Sequence, residues 1–167
     1  MDLSQLRDRC RQLLAGVTIP TPFDIHAFCD QIATQRGRPI RLFPIASGLT
    51  PCGLWAATES TDYIFYETST SPLHRDHIVL HELSHMLCDH RPAPAMDDEL
   101  AHQLFPDLNA SLVQRVLARS VYSANEEREA ELLASLIREH VDRSGQPDEL
   151  DSADVPAAVR HAESTFQ

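Results

Sequence analysis

The segment from Pro72 to Cys88, PLHRDHIVLHELSHMLC, constrains the fold of this chain more than any other. Its apolar residues recur at helical spacing and cover most of the helix surface, which is typical of a helix buried inside a domain. Ser71 can cap this helix, with Pro72 at its first position. Residues 81–85 of the segment read HELSH. Because buried imidazoles without a partner are costly, the helix is expected to lie against a group that binds them.

HELSH has the spacing of a metal site. Residues four apart on an α-helix share one face, so His81 and His85 can direct two imidazole nitrogens at one zinc ion, at about 2.0 to 2.1 Å. Glu82 would then lie beside the metal without ligating it, where a carboxylate can take a proton from a water and later pass it to a leaving amine. The motif supplies two ligands and a base, and the third ligand must come from another element. The alternative is a solvated helix face with two surface histidines.

The third ligand is expected in ANEEREAELLASLI (124–137), the start of a helix that extends to about residue 141, with Ser123 or Asn125 as its cap. Its acids could simply complement the helix dipole. However, Glu127 and Glu131 lie one turn apart, and one carboxylate could reach the metal while the other orients a ligand imidazole. The small residues beside them, Ala130 and Ala134, would let the two helices approach closely. The other two acids, Glu126 and Glu129, remain alternatives for the third ligand.

The segments before and after HELSH predict an α+β fold that is mostly helical. Apolar residues at helical spacing cover about residues 3–15, and a second helix follows in which Thr21 could be the cap and Pro22 the first residue. Helical spacing also occurs in DLNASLVQRVLARS, residues 107–120. Helices therefore make up most of the predicted structure.

Three short segments, IRLFPI (40–45), GLWAAT (53–58) and DYIFYE (62–67), are rich in β-branched and aromatic residues. They predict a small antiparallel sheet of about three strands, packed on the HELSH helix. DYIFYE could serve as the edge to which an extended peptide adds, or it could be an ordinary core strand. Trp55 and Phe65 are expected in the core.

A chain of 167 residues with 43% hydrophobic content can bury one core. We therefore expect a single domain over residues 1–143, with an N-terminal helix in 1–20 and a catalytic core in 21–143. Residues 144–167 contain Ser, Gly, Pro and acids and predict a flexible or weakly helical acidic tail, with a short helix around 157–163.

The net charge of −11, from 14 Lys and Arg against 25 Asp and Glu, disfavours direct binding to nucleic acid or to anionic lipid. No apolar run approaches the roughly 20 residues of a membrane span, and the N-terminus does not read as a signal sequence. The four cysteines (Cys10, Cys29, Cys52 and Cys88) lack a CxxC pair, which indicates buried, reduced thiols. A cytoplasmic protein is expected, and the sequence carries no indication of its oligomeric state.

Together, HELSHMLCDH and EREAELLASLI, following a helix, a small sheet and the strand-like YIFYE, resemble the ImmA/IrrE family of gluzincin-like metallopeptidases over roughly residues 20–140. The downstream helix of that family reads roughly E-x-E-A-[ND]-x-F-A-x-x-L-[LM], which is matched in order by Glu127, Glu129, Ala130, Ala134 and Ile137. The resemblance implies a zincin-like fold and one zinc ion held by His81, His85 and Glu127. It also implies that Glu82 is the general base.

The chain departs from that family pattern at several points. Glu131 stands where the family usually has Asp or Asn, Leu133 replaces the usual Phe, and the Met-Pro that often follows the helix is missing. The segment 91–123 is also long for the family and could form a lid or a partner-binding surface. None of these changes removes a ligand.

The resemblance also implies a setting, because family members typically cleave a helix-turn-helix repressor and release a stress response or mobile-element genes. This chain has no basic helix-turn-helix segment, so such a regulator would be a separate protein. The expected function is thus zinc-dependent endoproteolysis of a protein substrate. The alternative is a non-catalytic, zinc-binding regulatory or toxin-like component that acts by binding a partner protein, since related chains occur in toxin–antitoxin-like pairs.

A peptidase also needs a donor that stabilises the tetrahedral oxyanion, and the candidates are Tyr122, Tyr66 and His102, with Tyr122 preferred. His74 and His77 are expected at the surface or in a cap, although a second metal site or a proton-shuttling role there is conceivable. His90 follows the HELSH helix and is expected to interact with its C-terminal carbonyls.

Overall fold

The computed structural model describes residues 2–45, 52–91 and 122–145. These ranges contain α1 (Leu3–Ala15), α2 (Ile25–Arg36), β1 (Ile40–Ile45), β2 (Gly53–Ala57), β3 (Asp62–Glu67), α3 (Pro72–Leu87) and α4 (Ala124–Ser144). The expected α+β fold, mostly helical with a small sheet, is confirmed. The helix predicted within 107–120, most of segment 91–123 and the tail from residue 146 onward lie outside the described residues.

The sheet is mixed, so the prediction of a purely antiparallel sheet is wrong for one of its two pairings. The strand order is β1-β3-β2, and β3 runs antiparallel to β2 but parallel to β1. Because a short turn joins β2 to β3, these two strands must be antiparallel. The chain therefore reverses twice between β1 and β3, and β3 inserts between the other two strands. As the central strand of this sheet, β3 is not an edge to which a peptide can add.

Side-chain caps set the helix starts. Ser71 caps α3 with Pro72 in the first turn, and Ser123 caps α4 in a reciprocal pair with Glu126, both as predicted. The predicted start of α2 is wrong. Asp24, rather than Thr21, caps this helix, because its carboxylate accepts a hydrogen bond from the backbone N–H of Ala27 at 2.8 Å.

One hydrophobic cluster joins the four helices to the sheet. Within it α3 contacts β2, β3 and α4. Ala130 and Ala134 of α4 are fully buried, and Ala134 belongs to the same hydrophobic cluster as Leu80 and Leu83 of α3. The predicted role of the two alanines, a close helix approach, is consistent with this packing.

The sheet is tied to α2 by the fully buried Asp62, whose carboxylate accepts a hydrogen bond from the Trp55 indole at 3.1 Å and forms an ion pair with Arg36 at 3.3 Å. Trp55 and Phe65 are core residues, as expected. Within the part of the chain that the structure describes, no helix is both long enough and apolar enough to cross a membrane.

The cysteines are free thiols. Three of them, Cys10, Cys29 and Cys88, are buried as predicted, and burial raises the pKa of Cys10 to about 11. Cys52 is exposed, so its predicted burial is wrong.

Candidate metal centre

The facing sides of α3 and α4 bring His81, His85 and Glu127 together. The Nε2 atoms of the two histidines lie 3.1 Å apart, and His81 Nε2 lies 3.2 Å from Oε2 of Glu127. His85 Nε2 lies 3.9 Å from Oε1 of the same carboxylate. Ligand atoms around a tetrahedral zinc at about 2.0 to 2.1 Å stand about 3.4 Å from one another. These three groups could therefore hold a metal ion.

Glu131 contacts the other nitrogen of His81, with Oε2 at 3.2 Å from Nδ1. A carboxylate accepts there, so Glu131 can hold a proton on Nδ1 of His81 and direct Nε2 of the ring towards His85 and Glu127. The second oxygen of Glu131 lies 3.3 Å from His77 Nε2, so His77 borders the site rather than standing apart from it. This is the arrangement expected if Glu131 orients a ligand imidazole.

His85 is fully buried, and its Nδ1 lies 2.9 Å from Nδ1 of His90. Burial lowers the pKa of His85 to about 3, with the neighbouring histidines adding to the effect. Its imidazole is therefore neutral near pH 7, as a metal ligand must be. The prediction for His90 holds only for its backbone, whose N–H donates to the carbonyl of His85 at 3.0 Å. The His90 ring contacts His85 and Glu129 instead.

Glu82 lies between α3 and β2, and only 5% of it is exposed. The backbone N–H of Trp55 donates to its carboxyl group, while Oε2 has no hydrogen-bond partner among the described residues. Burial raises the pKa of Glu82 to about 8, and the nearby charge of Glu127 adds to the shift. The carboxyl group therefore holds a proton far more tightly than an exposed glutamate does.

Gly53 of β2 makes room for Glu82. A Cβ atom at this position would lie 2.6 Å from Cγ2 of Ile78 and 2.7 Å from Oε1 of Glu82. Real Cβ atoms do not approach neighbours so closely, so β2 can lie this near α3 only with glycine at this position.

Tyr122 stacks on His85, with ring centroids 3.6 Å apart and ring planes 15° from parallel. Its buried hydroxyl has no hydrogen-bond partner in the part of the chain that the structure describes. Burial raises the pKa of the phenol above its usual value, so the group keeps its proton. Tyr66 lines a different pocket with Leu42, and His102 lies outside the described residues.

A cavity of about 220 Å³ lies at the centre of these groups. It is lined by Cys52, Gly53, Leu54, His74, His77, Ile78, His81, Glu82, Tyr122 and Glu127. Two of the candidate ligands, His81 and Glu127, thus share one cavity with Glu82 and Tyr122, and His85 lies next to it in contact with His81 and Tyr122. The predicted ligands and the predicted base lie together, while the contribution of His77 to this site was not anticipated.

A second group of potential ligand atoms lies behind His85. It consists of Cys88, His90 and Glu129, all buried, with ligand atoms within 4.8 Å of one another. Sequence reasoning missed this group, although the sequence shows one of its members, His90, as a potential metal ligand at the end of HELSHMLCDH. The chain continues past α3 through Asp89 in the left-handed conformation, φ 59°, which turns His90 back under His85.

The chain matches no protein-family model, no curated protein and no solved structure. The resemblance to the ImmA/IrrE family therefore rests on the two sequence motifs. The geometry of the site has to carry any functional argument.

Proposed function

We propose that this protein is a zinc-dependent endopeptidase that hydrolyses a protein substrate. The observation that carries the proposal is a cluster of three ligand atoms beside a cavity that is also lined by two residues, Glu82 and Tyr122, each with a buried polar atom that has no hydrogen-bond partner among the described residues. His81, His85 and Glu127 offer the ligand atoms, and the buried Glu82 and Tyr122 offer a base and a donor. A chain that used these residues only for packing would leave two buried polar groups unsatisfied at no benefit.

Zinc is the metal that suits the ligand set. Two imidazole nitrogens and one carboxylate oxygen at tetrahedral spacing are typical of catalytic zinc, whereas Mg²⁺ and Ca²⁺ prefer oxygen ligands alone. A zinc ion held there would supply a Lewis acid that makes a water acidic near neutral pH.

Glu82 is suited to be the general base. Its Oε2 atom has no partner among the described residues, so in the ionised form of Glu82 this atom is free to accept a proton from a water in the adjoining cavity. Its surroundings, poor in water, raise its proton affinity, which makes it a stronger base than an exposed carboxylate. The same group can then release that proton to the leaving amine of the substrate.

Tyr122 is suited to donate a hydrogen bond to the carbonyl oxygen of the substrate. Its stacking on His85 fixes the ring, Tyr122 lines the same cavity as Glu82, and its buried hydroxyl has no partner among the described residues. Because burial keeps the phenol protonated, it can stabilise negative charge as that charge develops on the oxygen.

The substrate would approach along β2 rather than β3. In the described sheet β2 is an outer strand, and its residues Gly53 and Leu54 line the cavity. An extended peptide could therefore align with β2 and present a scissile bond to Glu82. A separately encoded helix-turn-helix regulator is the proposed substrate, since a basic DNA-binding protein would be attracted to a chain of net charge −11.

The test compares wild type with Glu82→Gln, using Glu59→Gln as a matched control at an exposed turn position. Each protein is loaded with zinc and incubated with a small helix-turn-helix regulator encoded beside this chain and with a peptide library. New termini are then mapped by mass spectrometry. We expect wild type and the control to cleave, and Glu82→Gln to bind about one zinc ion per chain without cleaving.

Two results would overturn the proposal. Cleavage by Glu82→Gln at the wild-type rate would remove the assigned base. Failure of zinc-loaded wild type to cut either the regulator or any library peptide would exclude the peptidase. In that case, retention of the regulator by both proteins in a binding assay would favour a partner-binding role.

A further inference from the structure

The buried residues behind His85 form a hydrogen-bonded chain that the proposed catalysis does not use. His85 Nδ1 lies 2.9 Å from His90 Nδ1, and His90 Nε2 lies 3.2 Å from Oε2 of Glu129. Arg9 of α1 forms an ion pair with Oε1 of Glu129, with Nε at 2.8 Å. The chain therefore connects the end of α3 to α4 and α1, and all of it except Arg9 is buried.

The direction of the proton in this chain follows from Glu129. A carboxylate accepts hydrogen bonds, and Oε1 of Glu129 already faces the guanidinium of Arg9 at 2.8 Å, which leaves Oε2 to face His90. His90 must therefore carry its proton on Nε2, facing Glu129. When the proton of His90 lies on Nε2, its Nδ1 can accept a hydrogen bond, and Nδ1 of His85, 2.9 Å away, can donate it.

The consequence for His85 is a single tautomer. With its proton on Nδ1, the lone pair on Nε2 is free and faces His81 and Glu127, whose atoms lie 3.1 and 3.9 Å away. The opposite tautomer would place a proton on Nε2, where it would prevent metal ligation. The chain of contacts thus prepares His85 to act as a ligand.

The same residues argue against a second ion held by Cys88, His90 and Glu129. Ligation through Nε2 of His90 would move the proton of His90 to Nδ1 and reverse its hydrogen bond with His85. His85 would then carry its own proton on Nε2. In this geometry His85 and His90, both as neutral imidazoles, cannot each ligate a metal ion at the same time. The ion pair of Glu129 with Arg9 and the burial of Cys88, which raises its thiol pKa to about 12, also disfavour that ion.

We propose that His90, Glu129 and Arg9 are positioning residues that hold His85 in the Nδ1-protonated tautomer, and that they thereby direct the metal to His81, His85 and Glu127 rather than to Cys88, His90 and Glu129. The inference rests on the metal centre of the proposed function, but it does not require that the protein cleaves anything. Residues of this kind commonly change metal affinity about 10- to 100-fold when they are replaced.

The tautomer can be measured without metal. In chelator-treated wild type, the ¹⁵N shifts of His85 should show a protonated Nδ1 and an unprotonated Nε2. A protonated Nε2 on His85 would overturn the proposal. Glu129→Gln should lead to a mixture of tautomers, because an amide can donate or accept. The matched control is Glu139→Gln, the same substitution at an exposed site on α4, and it should leave the tautomer unchanged.

Zinc affinity gives the second readout, measured by competition with a chelator. We expect His90→Phe and Glu129→Gln to weaken zinc binding about 10- to 100-fold. We expect His90→Gln to lose less affinity than His90→Phe, because its amide oxygen can still accept a hydrogen bond from His85. The control is His140→Phe, at an exposed position on α4, which should leave zinc affinity unchanged. Unchanged affinity in folded Glu129→Gln would overturn the proposal, and this variant keeps the test valid if His90→Phe does not fold.

The two proposals fail in different ways. If wild type binds about one zinc, with the expected tautomer, but cleaves nothing, only the peptidase is lost. If wild type binds zinc but His90→Phe and Glu129→Gln leave both the tautomer and the zinc affinity unchanged, only the positioning role is lost. Two zinc ions per chain, falling to one in Cys88→Ser, would show that the second group holds an ion and would overturn the inference.

Discussion

His81 and His85 belong to one motif and lie one turn apart, but their surroundings differ. The His81 side chain is 20% exposed, and the two glutamates that contact it, Glu127 and Glu131, are about half exposed. His85 is fully buried, stacks on Tyr122 and contacts the buried His90. One half of the site therefore consists of adjustable surface side chains, and the other half is part of the core.

Because of this difference, substitutions in the two halves should have different effects on metal binding and on the free energy of unfolding. Replacing a residue on the exposed half should change metal binding while leaving the fold intact. Replacing one on the buried half should change metal binding and the free energy of unfolding together. The following predictions test that separation.

The largest effect on folding is expected for His85→Ala. In metal-free protein at pH 7.5, we expect the free energy of unfolding to fall by about 3 to 5 kcal/mol, because the change empties a core site and removes the partner of His90 and Tyr122. His81→Ala should cost less than about 1 kcal/mol, since this ring is partly exposed. Urea unfolding of both variants measures the contrast, and equal losses would show that the two halves do not differ.

Glu82 belongs to the buried half and should make stability depend on pH. Its pKa is about 8 in the folded state against 4.5 as the ordinary value. Below pH 4.5 both states are protonated and no penalty exists. Between pH 4.5 and 8 the unfolded chain ionises first, so the folded state loses stability as the pH rises.

Glu82→Gln in metal-free protein should therefore be more stable than wild type at pH 8, by on the order of 3 kcal/mol. The difference should disappear near pH 4.5. Thermal unfolding at a series of pH values tests this prediction. A stability difference that does not change with pH would mean that Glu82 ionises as an ordinary exposed glutamate does.

Gly53→Ala, on β2, should lower the stability of the folded protein because Gly53 packs against the buried half of the site. The new methyl group would meet Ile78 and Glu82 at distances shorter than van der Waals contact, at a cost of about 1 to 3 kcal/mol in stability. Gly145→Ala is the control, because its Cβ would lie 3.4 Å from its nearest neighbour, the carbonyl oxygen of Val141. Equal melting temperatures for these two variants would contradict the close approach of β2 to α3.

The smallest effect on folding is expected on the exposed half. Glu131→Gln should change the free energy of unfolding by less than about 0.5 kcal/mol, since its side chain is 55% exposed. It should nevertheless weaken zinc binding about 10-fold, because the carboxylate orients His81. Chelator competition and urea unfolding of the same sample separate the two effects, and a large loss of stability would place Glu131 on the buried half.

Some features of this protein are determined by the sequence alone because they depend on residues within one helical turn. Ser71 and Ser123 cap their helices through backbone groups three residues away, and such local caps can be read from residue type and spacing. The spacing of His81 with His85, and of Glu127 with Glu131, fixes which side chains share a helix face.

Other features were decided only by the tertiary structure, since they join segments that are far apart in the chain. The parallel pairing of β1 with β3 depends on where β2 lies in the sheet, and local propensity does not encode that order. The contact of His90 with His85 depends on the left-handed turn at Asp89, and the ion pair of Glu129 depends on the packing of α1 against α4. HELSH thus specifies two ligands and a base, while the surrounding fold determines that one of those ligands is exposed and the other is buried.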